Sequence, residues 1–156
     1  MRNERDFFFI RNDGQLQAPC EYALIQSQYQ VHFYNYKVIF YLTKDLIATD
    51  RIVMRLTHCP DSKLIPEKPV KDKDNMYREL HYYDVCDGVD VIFAIEQGML
   101  VQRVIVAEGS CIDELHLEFE GQKQVILADE QTIRIEGLHE CFQFKCPCAK
   151  SVIDNV

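Results

Sequence analysis

His139-x-Cys141-x4-Cys146-x-Cys148 puts four imidazole or thiolate donors close together in the chain, the donor set of a tetrahedral zinc site. The spacing is against it, because Cys146-Pro147-Cys148 is not a C-x2-C knuckle. Cys141 also falls among the apolar residues of a strand-patterned segment, where an inert buried thiol is ordinary. Asp84, Asp87 and Asp90 bracket Gly88 and offer the clustered oxygens that calcium favours. Their spacing fits no EF-hand loop, and Asp87-Gly88 is explained by turn chemistry. Asp90, at a strand start, is placed to tie down neighbouring backbone N–H groups. Glu114, Glu118 and Glu120 share a strand face and, with Glu136, could form a glycosidase-like carboxylate pair. A solvated sheet face explains them equally well. A Cys/His nucleophile pair has material in seven cysteines and five histidines, but no cysteine sits on a glycine elbow or helix start that would activate it. Tyr34, Tyr36 and Tyr41 are expected to face outward if the tyrosines make a binding surface; cross-strand packing is the plainer role. The residues therefore assign no cofactor, no metal and no catalytic group. They point to a non-catalytic interaction or structural module. The competing class is a small hydrolase or metal-dependent enzyme, using His139, Cys141, Cys146 and Cys148 or the acidic strand faces.

Composition narrows the partners. The 156 residues suffice for one domain with a real core. The chain holds 25 acidic and 17 basic residues, a net charge of −8, which disfavours duplex nucleic acid and an anionic membrane surface. No apolar run is long enough for a transmembrane helix, so no membrane insertion is expected. The opening MRNERDFFFIRNDG is not a secretory signal. Read as it stands, the chain is cytoplasmic, and its odd, irregularly spaced cysteines are free thiols. A protein partner or self-association through an exposed strand edge is compatible with all of this.

The elements that must position these residues are strands. Tyr29 to Thr43 alternates with a turn at Asn35, Arg51 to Thr57 alternates again, and Lys44 to Asp50 reads as a polar connection. Met76 to Tyr83, Val89 to Glu96 and Met99 to Ala107 continue the pattern across glycine-marked corners. Leu115, Leu117 and Phe119 alternate with acidic neighbours and predict a half-buried strand over Glu114 to Glu120. Short strands follow to Phe144. The expected fold is all-β with little or no helix: an antiparallel β-sandwich or two small packed β units. The expected organisation is one domain over 1–156, with possible sub-units 1–58 and 76–148 joined by a proline-rich loop, 59–75. That loop is either a surface excursion or the carrier of one short edge strand.

The order of the turns resembles a known family. Phe9-Ile10-Arg11-Asn12-Asp13-Gly14-Gln15 resembles the F-x-x-N-x-G-Q opening of a domain of unknown function. That domain stands ahead of SBBP-type β-propeller repeats in bacterial secreted or cell-surface proteins, some of them gliding-motility-associated. Tyr41-Leu42-Thr43, Tyr82-Tyr83-Asp84-Val85 with Gly88-Val89-Asp90, and Leu117-Glu118-Phe119-Glu120-Gly121 follow in register. Gly109 stands at the family's P-G turn, with Glu108 replacing the proline. The resemblance implies a β fold, structural roles for Asn12, Gly14, Gln15, Gly88, Asp90, Gly109 and Gly121, and an interaction role without catalysis. It also implies a secreted or surface location if a leader precedes the chain.

Overall fold

A computed structural model of the chain describes residues 8–45, 47–56, 62–110 and 115–147. Thirteen strands form one sheet: β1 (Phe9–Arg11), β2 (Tyr22–Ile25), β3 (Tyr29–Phe33), β4 (Lys37–Lys44), β5 (Ile47–Arg55), β6 (Lys63–Pro69), β7 (Met76–Cys86), β8 (Val89–Glu96), β9 (Met99–Val106), β10 (Glu118–Glu120), β11 (Gln124–Asp129), β12 (Thr132–Glu136) and β13 (Cys141–Lys145). The fold is all-β, and no helix occurs among the described residues.

Twelve strands lie on one path, β10-β5-β4-β3-β2-β1-β7-β8-β9-β13-β12-β11, and β6 pairs with β7 beside it. Alternation left a sandwich or two packed units open; the strand order is instead one continuous, nearly closed, barrel-like sheet. The two ends of the path, β10 and β11, are separated in sequence by only Gly121–Lys123. The first half of this run pairs with β5 and the second with β12. Closure is therefore covalent: one bent run switches partner at a corner, as strands do in orthogonal sheets. Gly121 makes the corner, with φ +96.

Residues before and after the proline-rich stretch share one hydrophobic cluster. Phe33 packs edge-on against Phe9 and Phe93, at ring centroids 5.3 and 5.2 Å. Phe40 packs on Phe142 and Phe144 at 5.2 and 5.9 Å. The fully buried Tyr82 donates its hydroxyl to the Tyr34 carbonyl, 2.5 Å away, which satisfies the polar end of a large apolar side chain.

Three segments differ from the sequence expectation for local reasons. Lys44 to Asp50 is not a polar connection. β5 begins at Ile47, and the ladder shifts register between Leu42 and Thr43, so Asp50 lies opposite the buried Leu42. A bulge thus turns a carboxylate toward the core. In the proline-rich stretch, Lys63–Pro69 is a strand that among the described strands pairs with β7 alone, and Pro66 and Pro69 fit an edge position, where a missing N–H is tolerated. Over Glu114 to Glu120 only Glu118–Glu120 is strand, and Glu114 lies outside the described residues. The alternation survives as burial, with Leu115 and Leu117 in the core and His116 exposed. Leu117→Ala is expected to cost about 3 kcal/mol as a core truncation. A thermal midpoint equal to that of wild type would show that the cavity closes or that Leu117 is not core.

Candidate binding cleft

Four turns gather at one end of the barrel: β2–β3 at Gln28, β4–β5 at Asp45, β8–β9 at Gly98 and β12–β13 at Glu140. Between them lies a cleft of about 790 Å³, within the usual range for ligand sites. Its position follows from the ladder. β13 is matched to β12 over five antiparallel pairs, from Cys141 to Lys145, but meets β9 at the single parallel pair Lys145↔Val101. From that bridge the two strands fork, and the cleft occupies the fork, with Met99 and Leu100 on one side and Cys141 to Gln143 on the other. A second cavity of about 480 Å³ shares Met99 and reaches Lys145, flanking the same bridge.

The lining is mixed. Tyr29 and Phe142 make an aromatic floor, with rings 4.6 Å apart. Burial pushes the Tyr29 hydroxyl pKa up, so it is a neutral donor at physiological pH. Lys44 and Arg134 face Asp45 and Glu140, so the lining cations and anions balance. Arg134 Nη2 donates to the Cys141 sulfur at 3.4 Å, and Nε lies 3.4 Å from Glu136 Oε1. Gln124 Nε2 donates to the other Glu136 oxygen at 2.6 Å and fixes that carboxylate.

Asp50 holds the rim. Its Oδ1 accepts from the N–H groups of Leu138 (2.6 Å) and His139 (3.2 Å); its Oδ2 accepts from Glu140 N–H (2.9 Å) and the Thr49 hydroxyl (3.0 Å). Burial alone would raise the Asp50 pKa. The hydrogen bonds from Glu140, Thr49, His139 and Leu138 outweigh it and leave the group below its ordinary value. Gly137 permits the contact, since a Cβ there would meet Asp50 Oδ1 at 2.6 Å.

The residues singled out in the sequence are not brought together. Cys141 lies exposed at one end of β13, Cys146 is buried past the other, and five residues of strand set them roughly 17 Å apart on opposite faces. His139 is exposed and contributes its backbone to the Asp50 clamp. Cys148 lies outside the described residues. Among those residues, no three His, Cys, Asp or Glu side chains group as metal ligands. Cys20 and Cys141 carry free thiols.

The remaining candidates hold turns. Asp90 Oδ1 accepts the Asp84 N–H at 2.8 Å, where Asp84 has φ +55 in a register shift of β7. Asp87 is exposed in the turn before Gly88. Asn12 Nδ2 donates to the carbonyls of Ala18 and Cys20 at 2.7 and 2.9 Å, and its Oδ1 accepts from Gly14 and Leu16 N–H. Gln15 closes the same loop by donating to the Arg11 carbonyl at 2.8 Å and accepting from Asp13 N–H. Gly109 has φ +86 in the turn after β9. Glu120 pairs with Arg55 at 2.9 Å. Tyr36 is exposed, while Tyr34 and Tyr41 are half-buried, with Lys37 over the Tyr34 ring and His32 against Tyr41. Gly88 has φ +71, and a Cβ there would fall 1.9 Å from Ser110 Oγ and 2.7 Å from its Cβ. Gly88→Val is expected to cost about 2 kcal/mol, from backbone strain and displacement of Ser110. Unchanged urea stability would show that the corner adapts.

One cluster went unread in the sequence. Lys68 Nζ donates to Glu79 Oε2 at 2.7 Å, and His81 Nε2 lies 2.9 Å from Glu79 Oε1. His81 Nδ1 is 3.2 Å from the Tyr83 hydroxyl, which donates to Glu67 Oε1 at 3.2 Å. Burial raises the Glu79 pKa, but Lys68 and His81 together lower it by more. Glu79, His81 and Tyr83 stand at alternate positions of β7, a period-2 polar triplet that could have been noticed. Its partners on β6 could not, because the contact depends on the β6–β7 register and on the left-handed backbone of Lys68, φ +53. Each group in the chain is already engaged by its neighbours, so the network braces β6 against β7.

No curated protein and no solved structure matches the chain. The model of DUF7948, a domain of unknown function, matches residues 64–155, which include β7 to β13 and both strands of the fork. With more than half of its length matched, the chain belongs to the DUF7948 family.

Proposed function

We propose that this domain is a non-catalytic interaction module that holds a protein partner in the cleft between β9 and β13. The observation that carries this reading is how the polar side chains are used. Asn12, Gln15, Asp50, Glu79 and Asp90 are spent on holding the fold. The side chains of Gln28, Lys44, Asp45 and Gln143 converge on the cleft with no hydrogen-bond partner among the described residues. Convergent, uncommitted polar groups over an aromatic floor suit recognition, and no activated nucleophile stands among them. The order of the turn motifs supports a place for the domain in bacterial secreted or cell-surface proteins, ahead of SBBP-type propeller repeats. An acidic chain and a charge-balanced cleft favour neither nucleic acid nor an anionic membrane as partner.

Photo-crosslinking in the native host tests the reading. A benzophenone amino acid at Gln28, on the cleft rim, is expected to trap one discrete protein adduct. The same group at Lys71, exposed in the β6–β7 connection, is expected to trap none. Equal labelling from both positions, or none from Gln28, would overturn the cleft as the interaction site.

A further inference from the structure

We infer that the occupant of the cleft is an extended peptide segment that adds as a strand to the free edge of β13; this deepens the interaction reading and rests on it. The argument begins with the backbone. In a ladder, alternate N–H and C=O groups point to either side of a strand. β12 takes one side of β13 over all five residues, while β9 takes the other side only at Lys145. On the β9 side, the backbone groups of Cys141 and Gln143 have no strand partner among the described residues, while Phe142 and Phe144 turn theirs to β12. β9 offers less on its facing side, because the Lys145 bridge takes up the Leu100 carbonyl and Met99 turns its backbone groups to β8 at the hairpin. The edge of β13 therefore borders the cleft as a short row of backbone donors and acceptors. An unpaired edge is a template for another strand. Recognition by strand addition takes its affinity from such main-chain groups and its specificity from alternate side chains.

The side chains fit the same occupant. Phe142 and Phe144 turn into the core, so inward-facing residues of an added strand would meet Tyr29, Leu42 and Leu100 and should be apolar. Lys44 and Arg134 offset Asp45 and Glu140, so a segment without net charge is favoured over a strongly acidic or basic one. A saccharide could use the amides and the aromatic floor, but it would leave the β13 edge unmatched. The Asp50 clamp fixes Leu138 to Glu140 and so presents the start of β13 pre-formed, which limits the ordering cost of binding.

Panning a random octapeptide display library against the whole chain, with counter-selection on Gln28→Trp, tests this. Enriched peptides are expected to alternate apolar and polar residues. Added to 15N-labelled protein, they are expected to slow amide exchange within 141–144 by tenfold or more and to leave the β6–β7 amides unchanged. Peptides that shift cleft resonances without protecting 141–144 would overturn strand addition while leaving the cleft as an interaction site. A neutral oligosaccharide panel that binds the cleft where the octapeptides do not would overturn the peptide assignment. Failure of the library to enrich above the counter-selected variant, together with an empty Gln28 crosslink, would overturn the interaction reading as well.

Discussion

Replacing Asp50 with alanine is expected to lower stability by about 4 kcal/mol, because one carboxylate satisfies three backbone N–H groups of the β12–β13 turn and the Thr49 hydroxyl beside it on β5. Removing it leaves the three N–H groups facing a small void, while the Thr49 hydroxyl keeps the Leu42 carbonyl as acceptor. Asp50→Asn keeps one acceptor oxygen and should cost roughly half as much. Urea unfolding measures both; equal midpoints for wild type and Asp50→Ala would show that water replaces the carboxylate. The same group gives a pH test. Its folded-state pKa is depressed, so its contribution is complete above the ordinary carboxylate value of about 4 and is lost as pH falls through the lower folded value. Glu79 is depressed too and acts in the same direction. Wild-type stability should therefore decline below about pH 4, and Asp50→Ala should decline less steeply. Parallel curves would mean that Asp50 is not a source of the acid sensitivity.

Gly121→Val is expected to be comparably severe, at about 4 kcal/mol, from two independent costs. The residue has φ +96, and a Cβ would lie 2.3 Å from the Arg51 carbonyl oxygen. That oxygen is backbone within a paired strand, so it cannot rotate away. Gly109 separates the two costs, since it has φ +86 but nothing within 4 Å of a built Cβ. Gly109→Ala should cost only about 1 kcal/mol from backbone strain, and Gly121→Ala at least twice that. Equal losses at the two positions would refute the close approach at the corner.

Much of the sheet was legible because alternation reports burial directly. The β3–β4 hairpin, the β7 to β9 meander and the buried Leu115 and Leu117 follow from period-2 patterning. Turns were legible where glycine or asparagine marks them, as at Gly88 and Asn12. Segments that break the period misled. Asp50 read as part of a polar link because a bulge, not the pattern, turns it inward. Lys68 reaches Glu79 from a left-handed residue, φ +53, that the pattern does not mark. The zinc candidates looked close because sequence spacing counts residues, whereas a strand spaces Cys141 and Cys146 by about 3.4 Å for each of them.

By itself, the sequence determined that the domain is all-β, which faces of its strands are buried, and where its corners fall. These are properties of single strands and turns, set by side-chain period and by backbone freedom at one or two residues. The tertiary structure alone decided that the strands make one sheet, that Gly121 bends one run from β5 to β12, and that Asp50 clamps a turn 88 residues away. It also opened the fork between β9 and β13. Which edges meet and which stay apart depends on register and on contacts between distant segments, and a strand carries no local mark of the neighbour it lacks.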